Sequence, residues 1–229
     1  SLTATNNFTF YQPSTPDGTV RLGVGNAGSA TSLLSLSSTG ALSLPSADAT
    51  IHGLTIGLGG GSVSTNTAVG TNALILNSTG SGNTGIGLSA SFSNTTGNYN
   101  TAVGQSAMYN NTGSSNTAIG YLSLLNNTTA SNNTAVGYQA GYSNTTGQEN
   151  TFIGHQAGYA SNVTGSRNTC VGAFAGYSLT TGTQNCFVGP STSGLFTSGS
   201  LITTGSKNTI IGAYGGNNNG LDIRTSNNY

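Results

Sequence analysis

The stretch Asn133-Thr134-Ala135-Val136-Gly137 decides how the rest of the chain is read, because it is one of nine related copies. The others begin at Asn66, Asn83, Asn100, Asn116, Asn150, Asn168, Asn185 and Asn208. Each copy carries Val or Ile three residues after its Asn: Val69, Ile86, Val103, Ile119, Val136, Ile153, Val171, Val188 and Ile211. Successive asparagines are 17, 17, 16, 17, 17, 18, 17 and 23 residues apart. A fixed period of this size marks a repeat architecture and takes precedence over local propensity.

Reading outward, a Thr-Gly step precedes most copies, and a small residue follows seven after the Asn (Ala73, Ala90, Ala107, Ser123, Ala140, Ala157, Ala175). Nine after it comes Ile75, Phe92, Tyr109, Leu125, Tyr142, Tyr159 or Tyr177. Seventeen extended residues trace about 56 Å, at about 3.3 Å each. Glycine at two fixed points supplies corners that a Cβ would obstruct. The pattern predicts one coil per repeat, each stacked about 4.8 Å above the last by parallel strand pairing. The fold class is therefore all-β, a parallel β-helix or β-roll solenoid, with nine coils giving a column about 40 Å long. The array is expected over residues 63–216, between an N-terminal β segment, 1–62, and a C-terminal exit segment, 217–229.

Within a coil, the Val/Ile position is expected to form the apolar core spine, and the Ala position a second, thinner one. The threonines that follow the asparagines share the Val/Ile face and are expected inward with it. The repeated Asn suits either of two roles: a stacked side-chain amide ladder, or a turn residue in a left-handed conformation. The residue before it varies (Tyr99, Ser115, Asn132, Glu149, Arg167, Gln184, Lys207), which marks a solvent-facing position. Glu149 and Arg167 occupy it in adjacent coils and should form an exposed ion pair, contributing up to about 1 kcal/mol. The residue two after the Asn is also apolar, running Ala68, Gly85, Ala102, Ala118, Ala135, Phe152, Cys170, Phe187, Ile210. A thin coil with apolar side chains on both faces would hide the second by association with copies of itself, and a homotrimer does so along an axis.

Composition limits the partners. Charged residues make up 3% of the chain and the net charge is zero, against about 25% charged in ordinary domains. Neither nucleic acid nor an anionic membrane would be held electrostatically. No apolar run approaches the roughly 18 to 20 residues of a membrane span, so no membrane insertion is expected. Upstream of the array, Phe8–Tyr11, Thr19–Val24, Leu33–Leu36, Ala41–Leu44 and Ile51–Leu58 read as short strands. The insert from Ser191 to Ile202 is expected to protrude. Cys170 and Cys186 are offset by one strand position, which aims their thiols apart and predicts two separate packed cysteines.

Little in the chain carries catalytic chemistry. The four acids, Asp17, Asp48, Glu149 and Asp222, are scattered, whereas glycan cleavage needs two carboxylates close together. Ser46, Asp48 and His52 lie in a strand-rich stretch and read as polar surface. His52 and His155 lack metal-ligand spacing, and no glycine-rich phrase is followed by the Lys of a phosphate loop. No catalytic residue, metal or cofactor is expected.

The phrases Asn133-Thr134-Ala135-Val136-Gly137-Tyr138-Gln139-Ala140-Gly141-Tyr142 and Asn150-Thr151-Phe152-Ile153-Gly154-His155-Gln156-Ala157-Gly158-Tyr159 resemble those of bacteriophage tail fibre proteins. Leu36-Ser37-Ser38-Thr39-Gly40-Ala41-Leu42 and Gly220-Leu221-Asp222-Ile223-Arg224-Thr225-Ser226-Asn227-Asn228-Tyr229 resemble the same group. The resemblance implies a trimeric shaft on a virion, attaching to a host surface through a glycan or protein receptor and touching other tail proteins. In those fibres the latter segment leads into an intramolecular chaperone that is cleaved away, so the chain is expected to be a shaft fragment or a matured product. The repeat is also similar to the β-roll heads of trimeric autotransporter adhesins, which implies a microbial cell-surface or extracellular location instead. Two remoter readings are ice binding, prompted by the threonine rank, and polysaccharide depolymerisation.

Overall fold

The structure is a computed structural model that describes residues 54–159, 164–189 and 198–212, and the backbone of five strands between residues 8 and 51. The chain divides into two compact units, Ser1–Thr50 and Ile51–Tyr229. In the first, β1 (Phe8–Tyr11), β2 (Val20–Val24), β3 (Thr31–Leu36) and β4 (Leu42–Ser43) form an antiparallel sheet in sequence order, with Phe8 opposite Val24 and Val20 opposite Leu36. Short alternating runs pair with their nearest neighbours in sequence.

The second unit is the solenoid. After β5 (Ala49–Ile51) and β6 (Leu54–Gly57) come nine three-residue strands, one per repeat. They are β7 (Thr67–Val69), β8 (Thr84–Ile86), β9 (Thr101–Val103), β10 (Thr117–Ile119), β11 (Thr134–Val136), β12 (Thr151–Ile153), β13 (Thr169–Val171), β14 (Cys186–Val188) and β15 (Thr209–Ile211). Each pairs in parallel with the next, like residue against like: Thr117 with Thr134, Ala118 with Ala135, Ile119 with Val136. The coil is thus a stack of about 17-residue turns, mostly corner and little strand. Glycine sets the first corner. Gly137 has φ 135°, and a Cβ there would run into the backbone of Gly154 in the next coil.

The asparagine column fixes which way every other side chain points. Asn66, Asn83, Asn100, Asn116, Asn133, Asn150, Asn168, Asn185 and Asn208 are all buried. Strand side chains alternate, so the residue two after each Asn is also inside and those one and three after it are outside. The Val/Ile column, expected as the core spine, is therefore the outer one: Val69, Val103, Val136, Val171 and Val188 are half-buried, and Ile86, Ile119, Ile153 and Ile211 are 39% to 53% exposed. The threonine rank turns outward with it. The apolar column expected to need a sister chain, from Ala68 to Ile210, is instead the core of its own coil. The reason is width. At Gly85 an added Cβ would already lie 3.3 Å from the Ala90 carbonyl across the coil. Alanine fits that gap, and the larger Phe152 and Phe187 enter the column where the facing corner residue is Gly158 or Gly199.

The rest of the interior is amide. Each ladder Asn accepts, on Oδ1, the backbone N–H of the next: Asn83 N to Asn66 Oδ1 is 2.9 Å and Asn150 N to Asn133 Oδ1 is 2.9 Å. Its Nδ2 donates to a carbonyl of its own coil, Asn83 to Gly97 O at 2.7 Å and Asn133 to Gly147 O at 2.9 Å. The left-handed turn falls on the residue before the Asn, not on the Asn. A second buried column, Asn77, Asn94, Asn111, Asn127 and Asn144, stands eleven residues after the first and donates to the same carbonyls. Sequence reasoning missed it, although the spacing is visible in the chain. It yields to Leu179 in a later coil. The 16-residue coil damages it locally: Asn111 is two residues from its glycine instead of three and donates to Gly113 O. Asn94 Oδ1 is left buried without a partner, as is Ser91 Oγ.

One end of the stack is sealed by the chain itself. β6 runs antiparallel to β7, with Ile56 opposite Val69, and Gly70 N donates to Thr55 O at 2.7 Å. Gly60 N then donates to Leu74 O at 2.9 Å, and the Gly59–Gly61 triplet lies against Leu74, Ile75, Asn77 and Ser78, where side chains would collide. Residues 54–62 thus belong to the array, not to the segment before it. The insert also differs from expectation. Residues 190–197 and the exit segment 217–229 lie outside the described residues. Ser198, Gly199 and Ser200 are buried, Ser198 Oγ donates to Ile210 O at 2.8 Å, and Ile202 packs on the core, so the end of the insert is coil wall.

Candidate functional surfaces

Three columns of side chains face out along the solenoid. The first is the sheet face. Thr67, Thr84, Thr101, Thr117, Thr134, Thr151, Thr169 and Thr209 stand in line, with Cys186 in the eighth place, beside the Val/Ile column. None of these residues is charged, and the large members are partly exposed. Such a stripe exceeds the scattered apolar exposure of ordinary surfaces and is a candidate contact surface. Cys170, one position on from Thr169, points inward. Its thiol is held far above the usual range by burial and, secondarily, by Cys186. The two cysteines are free.

The second surface is aromatic. Five residues after the ladder Asn, Tyr121 stacks on Tyr138 (centroids 5.5 Å apart) and Tyr138 on His155 (5.0 Å), with Phe174 edge-on to His155. Nine after it, Phe92 stacks on Tyr109 at 4.7 Å, and Tyr142, Tyr159 and Tyr177 follow one another at 5.1 and 5.2 Å. These pairs arise because parallel in-register coils place like residues about 4.8 Å apart, a distance suited to ring stacking. His155 continues a tyrosine column. His52, Ser46 and Asp48 lie outside the described residues. The sequence already sets His155 in the place that Tyr138 and Tyr121 hold in the two preceding repeats, and the structure stacks the three in one column.

The third is the ridge before the ladder. Tyr99, Ser115, Asn132, Glu149, Arg167, Gln184 and Lys207 are exposed and all have φ between 58° and 63°. Each N–H donates to the coil below, as Tyr99 N does to Ser81 O at 2.9 Å and Glu149 N to Ser131 O at 3.2 Å. That bond holds non-glycine residues in a conformation costing about 1 kcal/mol or more. Arg167 Nε and Glu149 Oε2 are 2.9 Å apart on this ridge and well exposed. Asp17, Asp48 and Asp222 have no described side chain.

Among the described residues, no three metal-ligating side chains gather, and no helix is long and apolar enough to cross a membrane. No protein-family model, curated protein or solved structure matches the chain.

Proposed function

We propose that this chain is a structural and adhesive fibre protein: the shaft of a bacteriophage tail fibre, assembled as a homotrimer and attaching the virion to a host surface by multivalent binding. One observation carries the reading. The half-exposed Val/Ile column runs the length of the solenoid, uncharged, in register, and identical from copy to copy. A second and third copy supply matching stripes, and three stripes meeting on an axis leave none in water. The ridge and ring columns then remain for other partners, and three copies of a weak contact combine into firm attachment. The resemblance of the repeat to tail fibre proteins supports the same assignment, as does a sheet face without charge.

The test is mass and adhesion together. Sedimentation should give about three times the 22.7 kDa of one chain. Ile119→Asp with Ile153→Asp should yield a folded single chain, because both side chains are outside the core. Cys186 should crosslink to its sister copies through a short bis-maleimide, and Cys186→Ser should abolish the product. Labelled trimer should bind bacterial cells at least about 100-fold more tightly than the single chain. A wild-type chain sedimenting alone ends the proposal.

A second reading rests on the outward turn of the threonines. Hydroxyls and methyls repeat about 4.8 Å between rungs and about 6.6 Å along each strand, a regular uncharged array able to order water against ice. A monomer that shows thermal hysteresis would replace the fibre reading; a trimer without hysteresis retains it.

A further inference from the structure

Attachment needs a place where a receptor sits, and the rings differ in what they offer. Sugar stacking uses an open ring face. Tyr138 has a ring on both faces, Tyr121 and Tyr142 each have one face taken, and Tyr109 lies flat on Phe92 with an interplanar angle of 1°. Tyr159 is stacked on both sides, by Tyr142 and Tyr177. Every one of these rings gives at least one face to a neighbouring ring. Tyr99 is different. It is 71% exposed, no other ring stacks on it among the described residues, and its Cδ1–Cε1 edge lies beside Gly82, where an added Cβ would come within 2.7 Å of Cδ1. The residue above it on the ridge is Ser115, too small to cover the ring. Its backbone is pinned by the bond to Ser81 O and by φ 58°. The backbone that carries the ring is therefore fixed before anything binds, which lowers the entropy lost on contact.

Polar residues flank it in the chain and on the ridge. Asn98 Oδ1 accepts both Ser81 N (2.8 Å) and Ser81 Oγ (2.9 Å), which fixes the amide with its nitrogen free to donate. Asn98 N donates to Ser114 Oγ at 3.0 Å, and the Ser115 hydroxyl is exposed. The nearest charge on the ridge, Glu149, is three rungs away and engaged by Arg167. We infer that Tyr99 is the stacking platform of a neutral-sugar subsite, with Asn98 and Ser115 hydrogen-bonding the ring hydroxyls of a pyranose whose C–H face lies on the tyrosine. The inference rests on the attachment reading and names the ligand class it would use.

The experiment uses the full chain labelled with ¹³C in its tyrosine rings, titrated with β-linked tetrasaccharides of glucose, galactose and N-acetylglucosamine at millimolar concentration. At least one should shift the Tyr99 ring signals while the stacked tyrosines stay fixed. Tyr99→Ala should weaken that binding at least tenfold, Tyr99→Phe should retain it, and neither should change the sedimentation mass. A Tyr99 ring unmoved by all three sugars overturns the subsite, and cell adhesion unaffected by Tyr99→Ala does so while leaving the attachment reading intact. A loss of oligomer mass in Tyr99→Ala also overturns it, by assigning the ring to an interface between copies. If the wild-type chain binds no cells yet its Tyr99 signals shift with a sugar, attachment fails and the subsite stands.

Discussion

The rungs before Ala135 and those after it enclose the same narrow space with different side chains. In the earlier rungs the filling comes from the corner wall: Leu74, Met108 and Leu124 point inward eight residues after the ladder Asn, opposite Ala68, Gly85, Ala102 and Ala118. In the later ones it comes from the strand: Phe152, Cys170, Phe187 and Ile210 point inward, and the corner position is Gly141, Gly158, Gly176 or Gly199. At the junction, Ala135 and Gly141 are both small, and the gap is filled from the neighbours. A Cβ on Gly141 would lie 2.7 Å from Phe152 Cδ2 and 2.8 Å from Leu124 Cδ2. Volume is conserved by the stack, not by the position.

The exchange also shifts strain. Leu74, Met108 and Leu124 have φ of 52°, 52° and 47°, a left-handed conformation that costs a side-chain-bearing residue about 1 kcal/mol or more. The later rungs put glycine there and carry the bulk on extended backbone, where aromatic side chains are at ease. The earlier half pays in backbone; the later half depends on single large rings.

The sharpest way to break this comparison is Phe152→Ala. With Gly141 and Gly158 beside it, nothing can fill the hole, and the denaturation midpoint should fall by an amount equivalent to about 3–5 kcal/mol. Adding Gly158→Leu converts the coil to the earlier type and should restore much of the loss, whereas Gly158→Leu alone should overpack and destabilise. Additive effects in this double-mutant cycle would show that the two columns do not share one space.

The two amide columns give a second contrast. Asn133→Leu strands the buried Asn150 N–H in the continuous ladder, while Gly147 O keeps Asn144 as its donor, and should cost about 2–3 kcal/mol by urea denaturation. Asn144→Leu copies Leu179, which the chain already tolerates, and should cost clearly less. Equal losses would mean the second ladder is as indispensable as the first.

Cysteine reports on the inner and outer walls. Cys170 should resist thiol reagents until the protein unfolds, while Cys186 in a single chain should react. The folded thiol of Cys170 stays protonated where the unfolded one ionises, so its contribution is intact below about pH 8.5 and is lost as pH rises. The slope should reach up to about 1.4 kcal/mol per pH unit and vanish in Cys170→Ala. Ser115→Gly is the smallest expected effect. It removes a left-handed serine, as Gly82 does naturally one ridge position before Tyr99, and should stabilise by about 0.5–1 kcal/mol by thermal melting.

Much of this was legible in the chain and one essential point was inverted. The spacing of the asparagines gives the rungs, and the order of Phe8–Tyr11, Val20–Val24 and Thr31–Leu36 emerges from ordinary strand and turn signals. What misled was size. Val136 and Ile153 look like core beside Ala135, and in a wide sandwich they would be. Parity could have corrected it: an inward Asn133 forces Ala135 inward and Val136 outward, and Asn127 and Asn144 mark the opposite wall. The membership of the ring columns was legible from the repeat, but their face-to-face stacking follows from side-chain rotamers, which the spacing does not set. The Glu149–Arg167 pair, read across one repeat, was legible because only two residues were involved.

The antiparallel β6 has a further consequence, in time instead of space. It is made before any rung, and each later strand finds its template already in place one coil back. Assembly can therefore proceed in the order of synthesis, about one layer every one to three seconds at ribosomal speed, with no long search for a distant partner. A chain that zips from its own lid needs little rescue within one molecule, and in the proposed trimer meeting its sisters becomes the slow event.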